Sequence, residues 1–201
     1  MGWCQWFDQD EMYRPYHRDE WGRPCHEDRK LFEYLMLECL QCGLSWSLVM
    51  RRRPVFDTVF SGWDWRRIQN WTESDIKRAI ETDGMLRSPR KVRAIVGNAK
   101  AFAAVVSEWG SFDRYIWHFS GYKTIRYARK ADARLPRHNG LATIIATDLR
   151  NQGFSYVGPT TVYAFLQSVG VVNDHDEDCE IGKEILSFSP YEIRQPDNEV
   201  E

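Results

Sequence analysis

Two cysteine–histidine pairs stand at opposite ends of the chain. MGWCQWFDQDEMYRPYH places Cys4 ahead of His17, and VNDHDEDC (residues 172–179) places His175 four residues before Cys179. Thiolate and imidazole suit zinc, and four protein ligands leave no water position, so such a site is structural rather than catalytic. One ion holding all four would force the two ends of the chain together, closing nearly the longest loop available. The spacing matches no standard zinc finger, and a solvated His175 in an acidic stretch fits it as well. Cys39 and Cys42 form a competing CLQC, the form of redox and zinc sites, but inside an apolar helical run. Free cysteines in such runs commonly pack as small hydrophobes. Five cysteines, an odd number with no basic-then-apolar leader pattern, argue against a disulfide framework and for a soluble, cytoplasmic protein.

Helical periodicity dominates the rest. DRKLFEYLMLECLQCGLSWSLVM (28–50) spaces Leu31, Leu35, Leu37 and Leu40 helically, with a break at Gly43. TESDIKRAIE opens with Thr72 and Asp75 in a capping-box arrangement, and SPRKVRAIVGNAKAFAAVV opens with Ser88 as N-cap and Pro89 at the first helical position. GLATIIATDLRNQ and TTVYAFLQSVG are two further helical segments separated by GFSYVGP. Alternating strand patterns are nearly absent, so the expected fold class is all-α. Residues 120–140 read as a long connection. Residues 1–180 read as a single domain and 181–201 as a loosely held acidic C-terminal extension. Residues 174–201 carry ten Asp and Glu against Lys183 and Arg194, leaving 25 Lys and Arg against 19 Asp and Glu in the body. The net charge of −2 therefore conceals a mildly basic body, which permits a polyanionic partner. No apolar run is long enough to span a bilayer, so no membrane is expected.

Three features point to chemistry. Glu38 lies in LMLECLQCGLSW, where a carboxylate is costly unless paired, exposed or functional. Trp3, Trp6, Phe7, Tyr13, Tyr16 and Trp21 crowd the first twenty-one residues, and Trp46 follows the Gly43 break. Aromatics at this density build a core, or a slot that stacks a planar cationic base while a carboxylate reads its edge. GFSYVGP is a glycine-bearing turn ahead of a helix start, able to aim backbone N–H groups at phosphate. Arg51, Arg52 and Arg53 form the densest basic run.

YHRDEWGRP (16–24), LFEYLMLECLQCGLSW (31–46), KVRAIVGNAKAF (91–102), GFSYVG (153–158) and GVVNDH (170–175), in this order, resemble the DNA-3-methyladenine glycosylase I family. The resemblance covers residues 1–179 and implies a helix-hairpin-helix fold whose N- and C-terminal segments are joined by one structural Zn2+ on Cys4, His17, His175 and Cys179. It implies Glu38 as the catalytic residue contacting a flipped base, with Tyr16 and Trp46 stacking on it and Trp6, Tyr13 and Trp21 completing the pocket. Gly153, Tyr156 and Gly158 would approach the DNA backbone. The implied activity is monofunctional hydrolysis of 3-methyladenine from double-stranded alkylated DNA, by a monomer; the alternative is a non-catalytic binder of alkylated DNA. The chain departs from the family pattern at Cys39 and in QCG, where the family usually has a small residue and QAG, and in LRNQGF, where a more basic approach is usual.

Overall fold

The computed structural model describes residues 4, 7, 11–128 and 135–196. Among them the chain runs α1 (Tyr13–Asp19), α2 (Asp28–Gln41), α3 (Trp46–Val59), α4 (Trp65–Ile68), α5 (Glu73–Glu81), α6 (Pro89–Trp109) and α7 (Phe112–His118). Strand β1 (Thr124–Tyr127) follows, then α8 (Gly140–Asn151), α9 (Pro159–Ser168), α10 (Glu180–Phe188) and β2 (Tyr191–Arg194).

The largely helical reading holds, and the caps sit where local chemistry puts them. Thr72 and Asp75 form the full capping box of α5, and Ser88 caps α6 through Lys91 N–H with Pro89 at the helix start. The 28–50 run divides at Gly43, whose φ of +76° lies in the left-handed region. Every residue from Leu31 to Leu40 is buried, so α2 is enclosed on all sides. It packs against α3, α6, α7 and α9.

Two expectations are corrected. The 120–140 connection contains β1, and residues 180–194 are not loosely held: α10 buries Ile185 and β2 pairs in parallel with β1, Thr124 opposite Tyr191. Four-residue strands with a partner 67 positions away give too short an alternation to be read locally. β1 also grips the segment leading to His175: Ile125 N–H donates to Val171 O (2.8 Å) and Asn173 N–H to Ile125 O (2.9 Å).

The start of the chain meets its later part through backbone bonds. Gly22 N–H donates to Gln167 O and Cys25 N–H to Val169 O, each at 3.0 Å. Gly170, with φ of +74°, permits that approach, since a Cβ there would stand 2.5 Å from the Arg23 carbonyl carbon. No helix among the described residues is long and apolar enough to cross a membrane.

Candidate active site and metal centre

Glu38 sits on the third turn of α2, 4 % exposed, facing α9. Ser168 Oγ lies 3.1 Å from Glu38 Oε1 and receives the Tyr16 hydroxyl at 2.9 Å, so α1, α2 and α9 converge on one carboxylate. The Ser168 proton can instead go to Ala164 O at 2.9 Å. Burial raises the Glu38 pKa to about 8, opposed by the Ser168 hydrogen bond. Burial, reinforced by Glu38, also keeps the Tyr16 phenol protonated far above its usual range, hence a donor. Among the described residues no lysine or arginine pairs with Glu38. Trp46, at the start of α3 and half-buried, meets Tyr16 with ring centroids 5.5 Å apart. The arrangement is a buried carboxyl, two hydroxyls and two aromatic faces, and a flat cation entering it would favour the ionised carboxylate.

A second cluster lies next door. Cys4, His17 and Cys179 bring their ligand atoms within 4.8 Å of one another, all buried. Cys179 Sγ stands 3.6 Å from His17 Nε2. That is about the edge expected of a tetrahedron whose metal bonds are roughly 2.0 and 2.3 Å. The Cys4–Cys179 hydrogen bond pushes the Cys4 thiol up and the Cys179 thiol well down, leaving a buried thiolate that suits a dication. Asp176 N–H donates to Cys4 Sγ at 3.3 Å.

The fourth expected ligand, His175, lies beside the trio, its ring centroid 5.0 Å from that of His17. Its Nδ1 is 2.9 Å from the Asn173 amide oxygen, which can only accept, so Nδ1 carries the proton and Nε2 the lone pair. Nε2 is buried and has no hydrogen-bond partner among the described residues. Burial lowers the His175 pKa to about 3, so the ring is neutral. An orphaned, neutral, buried nitrogen beside two thiols and an imidazole fits a four-coordinate zinc. The site also has no room for bulk: a Cβ at Gly22 would stand 2.5 Å from the His175 ring, and one at Gly182 would stand 2.5 Å from His175 Cβ.

The α8–α9 turn forms a third surface. Gly153 (φ +94°) and Tyr156 (φ +61°) reverse the chain, and Gly158 caps α9 without a side-chain bond. Asn98 of α6 staples the turn, accepting from Ser155 N–H (2.8 Å) and donating to Ser155 O (3.1 Å). Cys39 and Cys42 close against it, Cys39 Sγ lying 3.7 Å from the carbonyls of Ser155 and Tyr156. Among the described residues, the N–H groups of Tyr156, Val157 and Gly158 make no hydrogen bond within the chain, whereas Gly153 N–H is taken by Arg150 O at 3.0 Å. Exposed Arg90 lies over the Tyr156 ring at 6.0 Å.

A family model described as methyladenine glycosylase matches residues 6–182. The chain belongs to that family. It is 36 % identical over 176 residues to the DNA-3-methyladenine glycosylase of Haemophilus influenzae, covering 88 % of this chain and 95 % of that one. A crystal structure of 3-methyladenine DNA glycosylase I superimposes with a TM-score of 0.84 at 35 % identity, covering 89 % of this chain and 98 % of that one. A tyrosine-to-phenylalanine variant of that enzyme type, solved in complex with 3-methyladenine, also gives a TM-score of 0.84, at 27 % identity over 90 % of this chain and 98 % of that one.

In this family member the expected residues fall unevenly. Glu38, Tyr16 and Trp46 come together, and Tyr13 is half-buried near Phe7 (6.4 Å) on the same helix. Trp21 is buried with its ring 4.5 Å from that of His175 and 5.2 Å from that of Phe7. Trp6 lies outside the described residues. Cys39 and Cys42 pack against the turn rather than forming a second metal group among the described residues. Of the arginine run, Arg53 is bound to Glu20 and Glu33. The sequence reading missed Ser168, a serine in an apolar helix with nothing local to mark it. It also missed Arg90, whose signal is the cluster of cations in SPRKVR at the start of α6.

Proposed function

We propose that the chain excises 3-methyladenine from alkylated double-stranded DNA by hydrolysis of the N-glycosidic bond, without lyase chemistry. The observation that carries this reading is Glu38: a buried carboxyl that accepts from Ser168, which in turn accepts from Tyr16, with no cation paired to it among the described residues and the Tyr16 ring meeting that of Trp46. Methylation at N3 puts positive charge on adenine and makes it a good leaving group. Glu38 supplies the missing countercharge and contacts the base edge, while Tyr16 and Trp46, with Tyr13 and Trp6, give it stacking surfaces. Trp21 serves as the wall between pocket and metal cluster. The glycosidic bond breaks with its electron pair leaving on the base, which departs neutral; water adds to the sugar carbon and gives up a proton. Tyr16 and Ser168 hold the carboxylate in place through the step.

We read α8, the turn and α9 as a helix-hairpin-helix. The free N–H groups of Tyr156 and Gly158 support it as the phosphate contact, with Gly153 shaping the turn. Cys4, His17, His175 and Cys179 would hold one zinc, which supplies cross-linking of the two ends and no chemistry at the base. The enzyme works as a monomer in the cytoplasm. Residues 1–180 form the glycosylase domain, with 181–201 as its acidic extension.

Chromatography of the bases freed from methylated DNA tests the reading. Release of 3-methyladenine is expected. A shifted DNA band with no released base would make the protein a binder of alkylated DNA instead.

A further inference from the structure

The three side chains around the base site come from three chain segments: Tyr16 from α1, Glu38 from α2 and Trp46 from α3. On each segment, one or two turns away in the chain, stands a member of one hydrogen-bonded ionic network. Glu20 follows Tyr16 by four residues, its N–H on the Tyr16 carbonyl at 2.9 Å. Tyr34 precedes Glu38 by four in α2, and Arg53 follows Trp46 by seven in α3. Spacings of four and seven keep residues on one helix face.

Arg53 is the centre of that network. Its Nη1 reaches Glu20 Oε2 at 2.7 Å, and its Nε and Nη2 reach Glu33 Oε1 at 2.7 and 2.6 Å. The Tyr34 hydroxyl donates to Glu20 Oε2 at 2.6 Å, and Lys30 Nζ to Glu33 Oε2 at 2.8 Å. The guanidinium also lies over the Tyr34 ring, 5.6 Å from its centroid. Two carboxylates meet two cations, so the layer is neutral, and the side chains of Arg53 and Glu33 are only 13 % and 4 % exposed. A guanidinium offers a rigid fork that holds two carboxylates at once, which an ammonium does not.

We infer that Arg53 is a positioning residue for base recognition: it clamps α3 to the end of α1 and to α2, and so sets the Tyr16 and Trp46 rings around Glu38. It touches neither base nor DNA. The inference rests on the proposed base site, because a clamp on three segments matters to activity only if those segments grip a ligand. Its effect falls on the base and not on the duplex, since the α8–α9 turn is held by Asn98, Cys39 and Cys42 instead.

Free 3-methyladenine, followed by tryptophan fluorescence, is titrated into the parent, Arg53→Met, Arg53→Lys and Glu20→Gln; affinity for undamaged duplex and Tm are measured alongside. Arg53→Met should weaken the base by about tenfold or more, as misplacements of under an ångström do, while duplex affinity stays within about twofold. Arg53→Lys should recover part of the loss. If Arg53→Met does not fold, Glu20→Gln carries the same expectation at smaller size. Base affinity equal to the parent's, or equal losses for base and duplex, overturns the clamp. A parent that binds no base and releases none defeats the proposed function, and the clamp with it. A parent that binds base while its folded variants match it defeats the clamp alone.

Discussion

Tyr16 and His17 are neighbours on α1, yet one faces the carboxylate of Glu38 and the other faces two thiols. Both destinations are buried clusters poor in positive charge, and both are shaped for a cation. They differ in how the charge is managed without one. In the thiol cluster a proton stands between Cys4 and Cys179, and His175 is held neutral by burial, so these three groups are already in the protonation state a metal needs bar one proton. In the pocket the negative charge is suppressed instead, with the Glu38 pKa pushed up to about 8 by burial. The first cluster suits a permanent guest and the second a transient one. A resident cation belongs to stability, a visiting one to turnover.

The sharpest way to break this contrast is to remove the metal proposed for the thiol cluster. Chelation of the metal, or Cys179→Ala, should lower Tm by on the order of 10 °C or more, because a structural zinc contributes its binding energy to folding. The rate of base release per folded molecule should change little. A metal-free preparation with unchanged Tm by calorimetry would dissolve the distinction.

Glu38→Gln is the mirror experiment. It keeps size and hydrogen bonding but removes the charge, so single-turnover release of 3-methyladenine should fall by about a hundredfold. Stability should move the other way. The folded pKa of Glu38 lies above its unfolded value, so its stabilising contribution is complete below the unfolded value and is lost as pH rises through about 8. At pH 9 the glutamine variant should therefore be the more stable protein, by on the order of a few kcal/mol, in urea unfolding. Parent and variant with equal stability at pH 9 would place the carboxylate in solvent.

The same titration appears in binding. Affinity for duplex carrying the cationic 3-methyladenine nucleotide should rise with pH up to about 8 and level off, and Glu38→Gln should flatten that rise. A smaller effect is expected from stacking: Trp46→Ala should cost about 1–3 kcal/mol of base affinity in the same titration. The smallest concerns the turn. No atom lies within 4 Å of a Cβ built at Gly158, so Gly158→Glu should fold normally while weakening damaged and undamaged duplex alike, by about tenfold. Parent binding should also lose affinity only gently with salt, since backbone donors release few counterions. Full duplex affinity in Gly158→Glu would move the DNA contact toward Arg90.

What the sequence disclosed divides along similar lines. The caps at Thr72 and Ser88 and the break at Gly43 are local chemistry and were legible within four residues. The β1–β2 pairing was not, because its hydrogen bonds join positions 124–127 to 191–194. Glu38 announced itself as a charge in an apolar run, whereas its partner Ser168 had no such contrast and became visible only through the Tyr16 bond across 152 residues. The grouping of Cys4 with Cys179 came from family resemblance, since spacing left it open; the structure brings Cys4, His17 and Cys179 together and sets His175 alongside. Trp21, placed on the pocket by the resemblance, has its ring 4.5 Å from that of His175, a contact across 154 residues that no local pattern announces.

The meeting of Cys4 with Cys179 has a consequence for how the molecule is made. A ribosome adding roughly 5–20 residues per second needs on the order of ten to thirty-five seconds to travel from one to the other. During that interval Cys4 and His17 are outside the ribosome without their partners, and Tyr16 has no Ser168 to donate to. A chain cut short before Ser168 therefore has neither the pocket nor the ligand set, and one cut between Ser168 and Cys179 has the pocket residues but no second thiolate. Completion of the two clusters is ordered along the chain: the pocket residues are all present once Ser168 is made, and the ligand set only once Cys179 is.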